Sequence, residues 1–412
     1  MSRRETFSGW KVLTGCILCM FLVQGCVQCF SIYMPQIAAE TGWGVSRVAV
    51  VSSTAAGGAF IANLLLAPAL KRLSAKAILA VGALFLVLHM CLYSVCTNVY
   101  LLWFAGLLGG VAIGWGTAAP CSILISNWFV KNRSQYIAAA VAGSMFGSVL
   151  QNPVAALLIE RLGWRSAYVV QSVTVGGLAL ASVLLLISES PEKKGQKPYG
   201  AEQAAASAAA EAGGVEIQEA KKSLSYPLLA LGIFLIGLST NTENYMPAFW
   251  QSRGLEPVLS SWVMSAYSLF AALSSILMSK INDRLGGRNY VLLTTLLFSV
   301  SLLVMTYTGV VSSLPWLILC CLPFAAGAKK SSTLIPPLVV AEAFGPKHYS
   351  ALIGLFAAML QLGITASNFV IGPLLRWGYP ISFSAMAAVN IAGMACVFFA
   401  MLKKPYRTEI CE

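Results

Sequence analysis

Tyr33-Met34-Pro35 closes the first long apolar run of this chain, and Tyr245-Met246-Pro247 repeats it 212 positions later. Gly42 meets Gly254 at the same offset, and Arg72-Leu73 meets Arg284-Leu285. Pro153 and Gly163 have a looser echo in Pro373 and Gly378. One such match carries little. Three in one register read as an internal duplication, with each half a structural unit.

The repeated material is apolar. The 412 residues are 58% hydrophobic and only 10% charged, against about 25% charged in a soluble domain. The mean hydropathy is +0.77. The runs are long enough to cross a hydrocarbon layer about 30 Å thick as helices. They are too long for the roughly ten-residue alternating strands of a membrane barrel. They cover 11–34, 47–70, 76–97, 99–125, 135–158 and 166–188, then 226–249, 258–281, 288–310, 314–340, 349–373 and 381–402. The sequence predicts an all-α polytopic membrane protein, with twelve transmembrane helices in two six-helix pseudo-repeats. The expected domains are an N-terminal bundle over 1–188, a cytoplasmic linker over 189–225 and a C-terminal bundle over 226–412. The polar, basic start, Met1 to Trp10, precedes a run too long for a signal peptide, so no cleavable leader is expected.

Charge predicts the orientation. With both termini inside, Arg47, Arg161, Arg165, Arg253 and Arg376 fall outside, and Lys329 and Lys330 fall within a span. The rest of the 27 Lys and Arg lie in cytoplasmic segments, as the positive-inside rule requires of an even number of spans. The net charge of +12 thus reflects topology, and no nucleic-acid partner is expected. The eleven cysteines invite a metal reading at Cys16, Cys19, Cys26 and Cys29. On a helix the two pairs stand about 15 Å apart, too far to share one zinc with bonds near 2.3 Å. They read as small hydrophobes in the packing, and neither metal nor cofactor is expected.

Six spans per half make the halves parallel, related by an axis along the membrane normal, which resembles the major facilitator arrangement. After span eight, Asn282-Asp283-Arg284-Leu285-Gly286-Gly287-Arg288 resembles the D-R-x-G-R signature of the major facilitator superfamily, with one extra glycine. The resemblance implies a cytoplasmic conformational lock at Asp283, Arg284 and Arg288. Its first-half copy, Leu70-Lys71-Arg72-Leu73-Ser74, lacks the acid, so any lock is asymmetric. Asn127-Trp128-Phe129 leading to Arg133, then Gly143 and Gly147, Pro153 and Gly163-Trp164-Arg165, resembles the monocarboxylate and oxalate–formate porter branch. Gly9-Trp10 and Gly42-Trp43 fit the same pattern. That branch carries a cation in span eight or eleven, whereas this chain has none in the core of either and places Lys329 and Lys330 in span ten.

A lysine at the bilayer centre costs about 2.5–3.5 kcal/mol on insertion scales, so two adjacent ones face a partner or a watery cavity. In the resembling fold, spans 1, 4, 7 and 10 border the central path. The expected substrate-binding residues are Lys329, Lys330, Gln24, Gln28, Tyr33, Trp115, Asn241, Tyr245 and Gln361. Asn244, Thr117, Gln151, Asn152 and Asn368 are further polar groups deep in spans. Polar residues also serve as glue between helices, and Tyr33 and Tyr245 suit interface anchoring equally. Glu243 is the only acid well inside a span and the candidate for proton coupling, paired in the simplest picture with one lysine. His89, in a peripheral span, reads as a core histidine.

The expected function is secondary transport of a small organic anion, a carboxylate, by alternating access, as proton symport or anion exchange. The partners expected are that anion, a proton as coupling ion and membrane lipid, with the chain a monomer. Two alternatives stand beside it: a carrier of a cationic or zwitterionic solute with Glu243 as counter-charge, and a non-transporting membrane sensor. No set of residues for nucleophilic catalysis and no nucleotide-binding loop assembles from the sequence, so neither an enzyme nor an ATP-driven pump is expected.

Overall fold

A computed structural model describes residues 7–131, 133–200, 216–308, 312–333, 335–345 and 349–403. The chain divides into two compact units, Met1–Ala208 and Ala209–Glu412. Among the described residues, ten helical segments are long and apolar enough to cross a membrane.

The first unit holds α1 (Gly9–Thr41), α2 (Val45–Leu70), α3 (Ala75–Ser94) and α4 (Val99–Trp128). The segment Gln135–Leu186 then runs for 52 residues. A straight helix of that length would measure about 78 Å, more than twice the hydrocarbon thickness. The chain instead breaks at Gly163, at φ 76° and ψ 159°. It returns to the face it left, where Trp128 Nε1 donates to Ser188 O at 2.9 Å. We call the two limbs α5 (133–162) and α6 (164–186). Counted separately, they bring the segments apolar enough to cross a membrane to eleven among the described residues.

The second unit repeats the plan with α7 (Ser225–Ser252), α8 (Pro257–Ser274) and α9 (Asn289–Tyr307). The guanidinium of Arg253 donates to Thr306 O at 3.5 Å, so α8 and α9 fold back on each other. Next come α10 (Leu314–Thr333), a short helix Ile335–Phe344, α11 (Tyr349–Leu374) and α12 (Tyr379–Leu402). The run expected over 314–340 enters as the shorter apolar segment Leu314–Gly327.

Local chemistry sets the helix ends. Ser74 Oγ accepts from Ala77 N and Asn98 Oδ1 from Leu101 N, capping α3 and α4. The duplication shows in the backbone as well. Gly42 and Gly254 both adopt positive φ, 69° and 91°, just after α1 and α7. Gly163 and Gly378 share a second conformation near φ 76–93° and ψ 159–163° that side chains disfavour, and each is followed by an aromatic residue.

Lipid is as apolar as leucine, so membrane helices associate through close packing and hydrogen bonds rather than hydrophobic exclusion. Glycine supplies the close packing. A Cβ on Gly147 would lie 2.1 Å from Phe21 O, and one on Gly25 2.8 Å from the Gly147 backbone. The second unit copies this contact. A Cβ on Gly363 would lie 2.1 Å from Phe234 O, and one on Gly237 3.2 Å from the Gly363 backbone. Gly58 and Gly110 bring α2 against α4 in the same way. Thiols join in: Cys16 and Cys121 each donate to the other's carbonyl at 4.0 and 3.9 Å, and Cys19 shares a 3.3 Å hydrogen bond with Ser182.

The expected linker is fastened at both ends. Tyr199 N donates to Trp128 O at 2.8 Å, and Ser8 N donates to Gln196 Oε1 at 2.9 Å. Phe7, Trp10, Phe129, Tyr136 and Tyr199 form one ring cluster there. At the other end, Ala220 of the helix Ile217–Lys222 is buried in the core of the second unit. On the opposite face of the first unit, Arg165 pairs with Glu40, donates to Cys96 O at 3.4 Å and lies over the Trp164 ring.

Candidate functional site

In the first unit the site candidates lie along α1. Its helix widens to a π-turn over Met20–Gln24, a defect common at functional positions. Gln151 of α5 holds the widened turn, its Nε2 donating to Phe21 O at 2.8 Å and to Leu22 O at 3.4 Å. One turn further, Ser148 Oγ donates to Gln28 Oε1 at 2.6 Å. Gln24 and Gln28 are both half-buried. Trp115, also half-buried, donates from its indole to Ala62 O of α2 at 2.7 Å. Thr117 breaks α4 at φ −134°, ψ −127°.

Tyr33 sits differently. It is 1% exposed, its hydroxyl donates to Gln171 Oε1 at 2.8 Å, and its ring stacks on Tyr168 at 4.0 Å. The packing between α1 and α6 uses up both its face and its hydroxyl. His89 is buried in α3, where a Cβ at Gly109 of α4 would come within 2.8 Å of its Nδ1 and Tyr93 meets it edge-on.

In the second unit α7 tightens to a 3₁₀ turn over Asn241–Tyr245. Asn241 Nδ2 donates to Ile364 O of α11 at 3.0 Å, and Asn244 Nδ2 donates to Asn241 Oδ1 at 3.2 Å. The turn carries Glu243, half-buried, whose carboxylate accepts a hydrogen bond from the Tyr267 hydroxyl of α8. The Tyr267 ring packs on Phe324 of α10 at 5.6 Å, and Phe324 stacks on Phe298 of α9 at 5.4 Å. Lys329 follows Phe324 by five residues in the same helix, about 7.5 Å along its axis. The side chains of Lys329, Lys330, Asp283, Arg284 and Arg288 lie outside the described residues. Tyr245 is wholly buried, and Gln361 is half-buried on α11.

The structure thus brings Glu243, Asn241 and Asn244 onto one turn of α7, and Gln24 and Gln28 onto one stretch of α1. It seals Tyr33 and Tyr245 into their own units. Sequence reading missed Tyr267 and Ser148. The available signal for Tyr267 was a phenol in the middle of an otherwise uncharged span, away from the interfaces where tyrosine usually anchors.

These two units of membrane-crossing helices, seated on matching glycine contacts and each with an irregular turn in its first helix, make a duplicated polytopic membrane protein. A family model described as Major Facilitator Superfamily matches residues 16–327 and 228–410, and the chain belongs to that family. Among relatives, monocarboxylate transporter 4 of Rattus norvegicus is 26% identical over 200 residues, which is 47% of this chain and 41% of that protein. The chain therefore matches only about two-fifths of the length of that relative. Monocarboxylate transporter 12 of Rattus norvegicus is 23% identical, covering 98% of this chain and 87% of that protein. Among solved structures, a bacterial homologue of the human lysosomal transporter Spinster, inward-facing and occupied, superposes with a TM-score of 0.77. It has 12% identity and 98% of both chains covered. The nucleoside transporter NupG gives 0.75 at 13% identity, covering 98% of this chain and all of that one. At such identities the likeness speaks for the fold alone.

Proposed function

We propose that this chain is a secondary transporter that moves a small organic anion, a carboxylate, across a membrane by alternating access. The observation that carries the reading is the contact series Glu243–Tyr267–Phe324. It joins the one acid deep in the spans to α10, the helix bearing the adjacent cations Lys329 and Lys330. Relatives named monocarboxylate transporters support the substrate class. Successive residues on a helix diverge by about 100°, so one lysine faces the solute while the other serves the packing. The substrate carboxylate docks on that lysine, and its charge favours a proton on Glu243. The loaded carrier then crosses its cycle with its charges balanced. Gln24, Gln28, Trp115 and Gln361 line the route, and Asp283, Arg284 and Arg288 lock one state. Both termini and the linker are cytoplasmic, since Lys11, Lys76, Lys131, Lys193 and Lys194 crowd the linker face of the first unit. The chain acts as a monomer.

A thermal-shift screen of the purified protein against carboxylates, amino acids and amines tests this. Carboxylates should raise the melting temperature of the wild type, and Lys329→Ala or Lys330→Ala should abolish the rise. Stabilisation by amines, lost in Glu243→Gln and kept in both lysine variants, would instead assign a cationic solute.

A further inference from the structure

A pocket at the linker end of the first unit is lined by none of the residues proposed for the transport route. It lies where the starts of α1 and α3, the end of α6 and the turn Glu192–Lys194 converge, and its volume is about 330 Å³. Lys11, Lys76, Lys193 and Lys194 line it, with Glu189 the only acid among its lining residues. Lys193 pairs with Glu189, and the ammonium of Lys76 donates to Leu184 O at 3.0 Å. The lining therefore holds three more positive charges than negative. The segment behind it is fixed, because Gln196 accepts from Ser8 N and Trp128 donates to Ser188 O. The pocket is thus built into the fold rather than formed by loose tails.

One wall of the pocket is apolar and faces outward. Leu184 and Leu185 line it and are 55% and 81% exposed. Leu178, seven residues before Leu185 and on the same helical face, is 60% exposed. A Cβ on the adjacent Gly177 would meet nothing within 4 Å. An exposed apolar stripe on α6 thus runs into a cationic pocket at the end of this apolar segment.

We propose that this pocket binds the phosphate headgroup of an anionic glycerophospholipid, with one acyl chain lying along the Leu185–Leu178 stripe of α6. Basic pockets between membrane helices on the cytoplasmic side suit such headgroups. The volume of about 330 Å³ equals that of about eleven waters at about 30 Å³ each, room for a phosphate and part of its glycerol. A soluble phosphate would use the ammonium groups but not the stripe. A zwitterionic lipid would use the stripe but bring its own cation to the lysines.

Native mass spectrometry of the full chain in detergent, after exchange into phosphatidylglycerol or phosphatidylcholine, tests the assignment. Phosphatidylglycerol should be retained at least fivefold more than phosphatidylcholine. The double variant Lys11→Gln/Lys194→Gln should reduce that preference to parity, and Lys11→Arg/Lys194→Arg should keep it. Arg161→Gln, on the opposite face, should leave it unchanged. Equal retention of the two lipids in the wild type would overturn the proposal, as would an undiminished preference in the Gln variant. Displacement of the lipid by inorganic phosphate at millimolar concentration would make this a soluble-anion site and overturn the lipid assignment. Should the Gln variant lose thermal stability, the Arg variant decides, and loss of preference there overturns it too.

Discussion

A carboxylate inside a membrane helix needs a donor or a proton, and Glu243 has the Tyr267 hydroxyl. This hydrogen bond orients the acid toward α8, whose Tyr267 ring in turn packs on α10. Glu243→Gln keeps the shape and the acceptor but cannot take a proton. It should abolish uptake driven by a proton gradient while leaving exchange and carboxylate-induced thermal stabilisation intact; accumulation at the wild-type rate would remove Glu243 from the mechanism. Tyr267→Phe deletes one hydrogen bond to a charged group, worth about 1.5–3 kcal/mol. Gradient-driven uptake should fall by roughly tenfold or more, with a lowered melting temperature, and an unaltered rate would show that the phenol has no part in coupling. In the first unit, Gln151→Leu strips the donor from Phe21 O and Leu22 O. Leaving buried carbonyls unpaired costs about 1–3 kcal/mol, which calorimetry or denaturant unfolding would read.

Pairs of helices in both units rest on backbone against backbone, which makes the glycine contacts sharp tests of packing. Gly147→Ala and Gly363→Ala each place a methyl group 2.1 Å from a carbonyl oxygen of the neighbouring helix. The helices must separate, at a cost of about 1–3 kcal/mol or more each. Gly177→Ala meets nothing within 4 Å and should be neutral or slightly stabilising. Equal thermal stability of all three variants would contradict the packing account. Much of this level was legible in the sequence. Apolar runs announced the helices, and the 212-residue register of Tyr33, Gly42 and Arg72 announced the duplication. Gly143 and Gly147 stand four apart and could be read as a packing face, while Gly363 has no glycine at that spacing and stayed silent. The π-turn at Met20–Gln24 was invisible because its support comes from Gln151, 130 residues away from Phe21. The burial of Tyr33 and Tyr245 was not legible in the sequence, because burial within a unit and exposure to a route leave the same trace there. The anchoring of the start of the linker was not legible in the sequence, because it rests on backbone hydrogen bonds and Tyr199, not on an apolar periodicity.

For the whole molecule, the distribution of basic residues predicts that the linker lies on the cytoplasmic side. A protease site inserted at 203–210 should be cut in inside-out vesicles and spared in right-side-out ones; the reverse pattern would invert the topology. The two units differ chemically although they share a plan. The first offers Gln24 and Gln28 beside a π-turn, while the second offers Glu243 and the lysine-bearing α10. In the proposed transport cycle, this difference assigns solute charge recognition and coupling to the second half and neutral polar contacts to the first. The direct test is flux. Purified protein in proteoliposomes, given an inward proton gradient and radiolabelled lactate, should show saturable uptake that unlabelled carboxylates suppress and amines do not. Lys329→Ala/Lys330→Ala should reduce that uptake to the level of empty liposomes. Uptake undiminished in the double variant, or no saturable flux of any carboxylate in the wild type, would contradict the account.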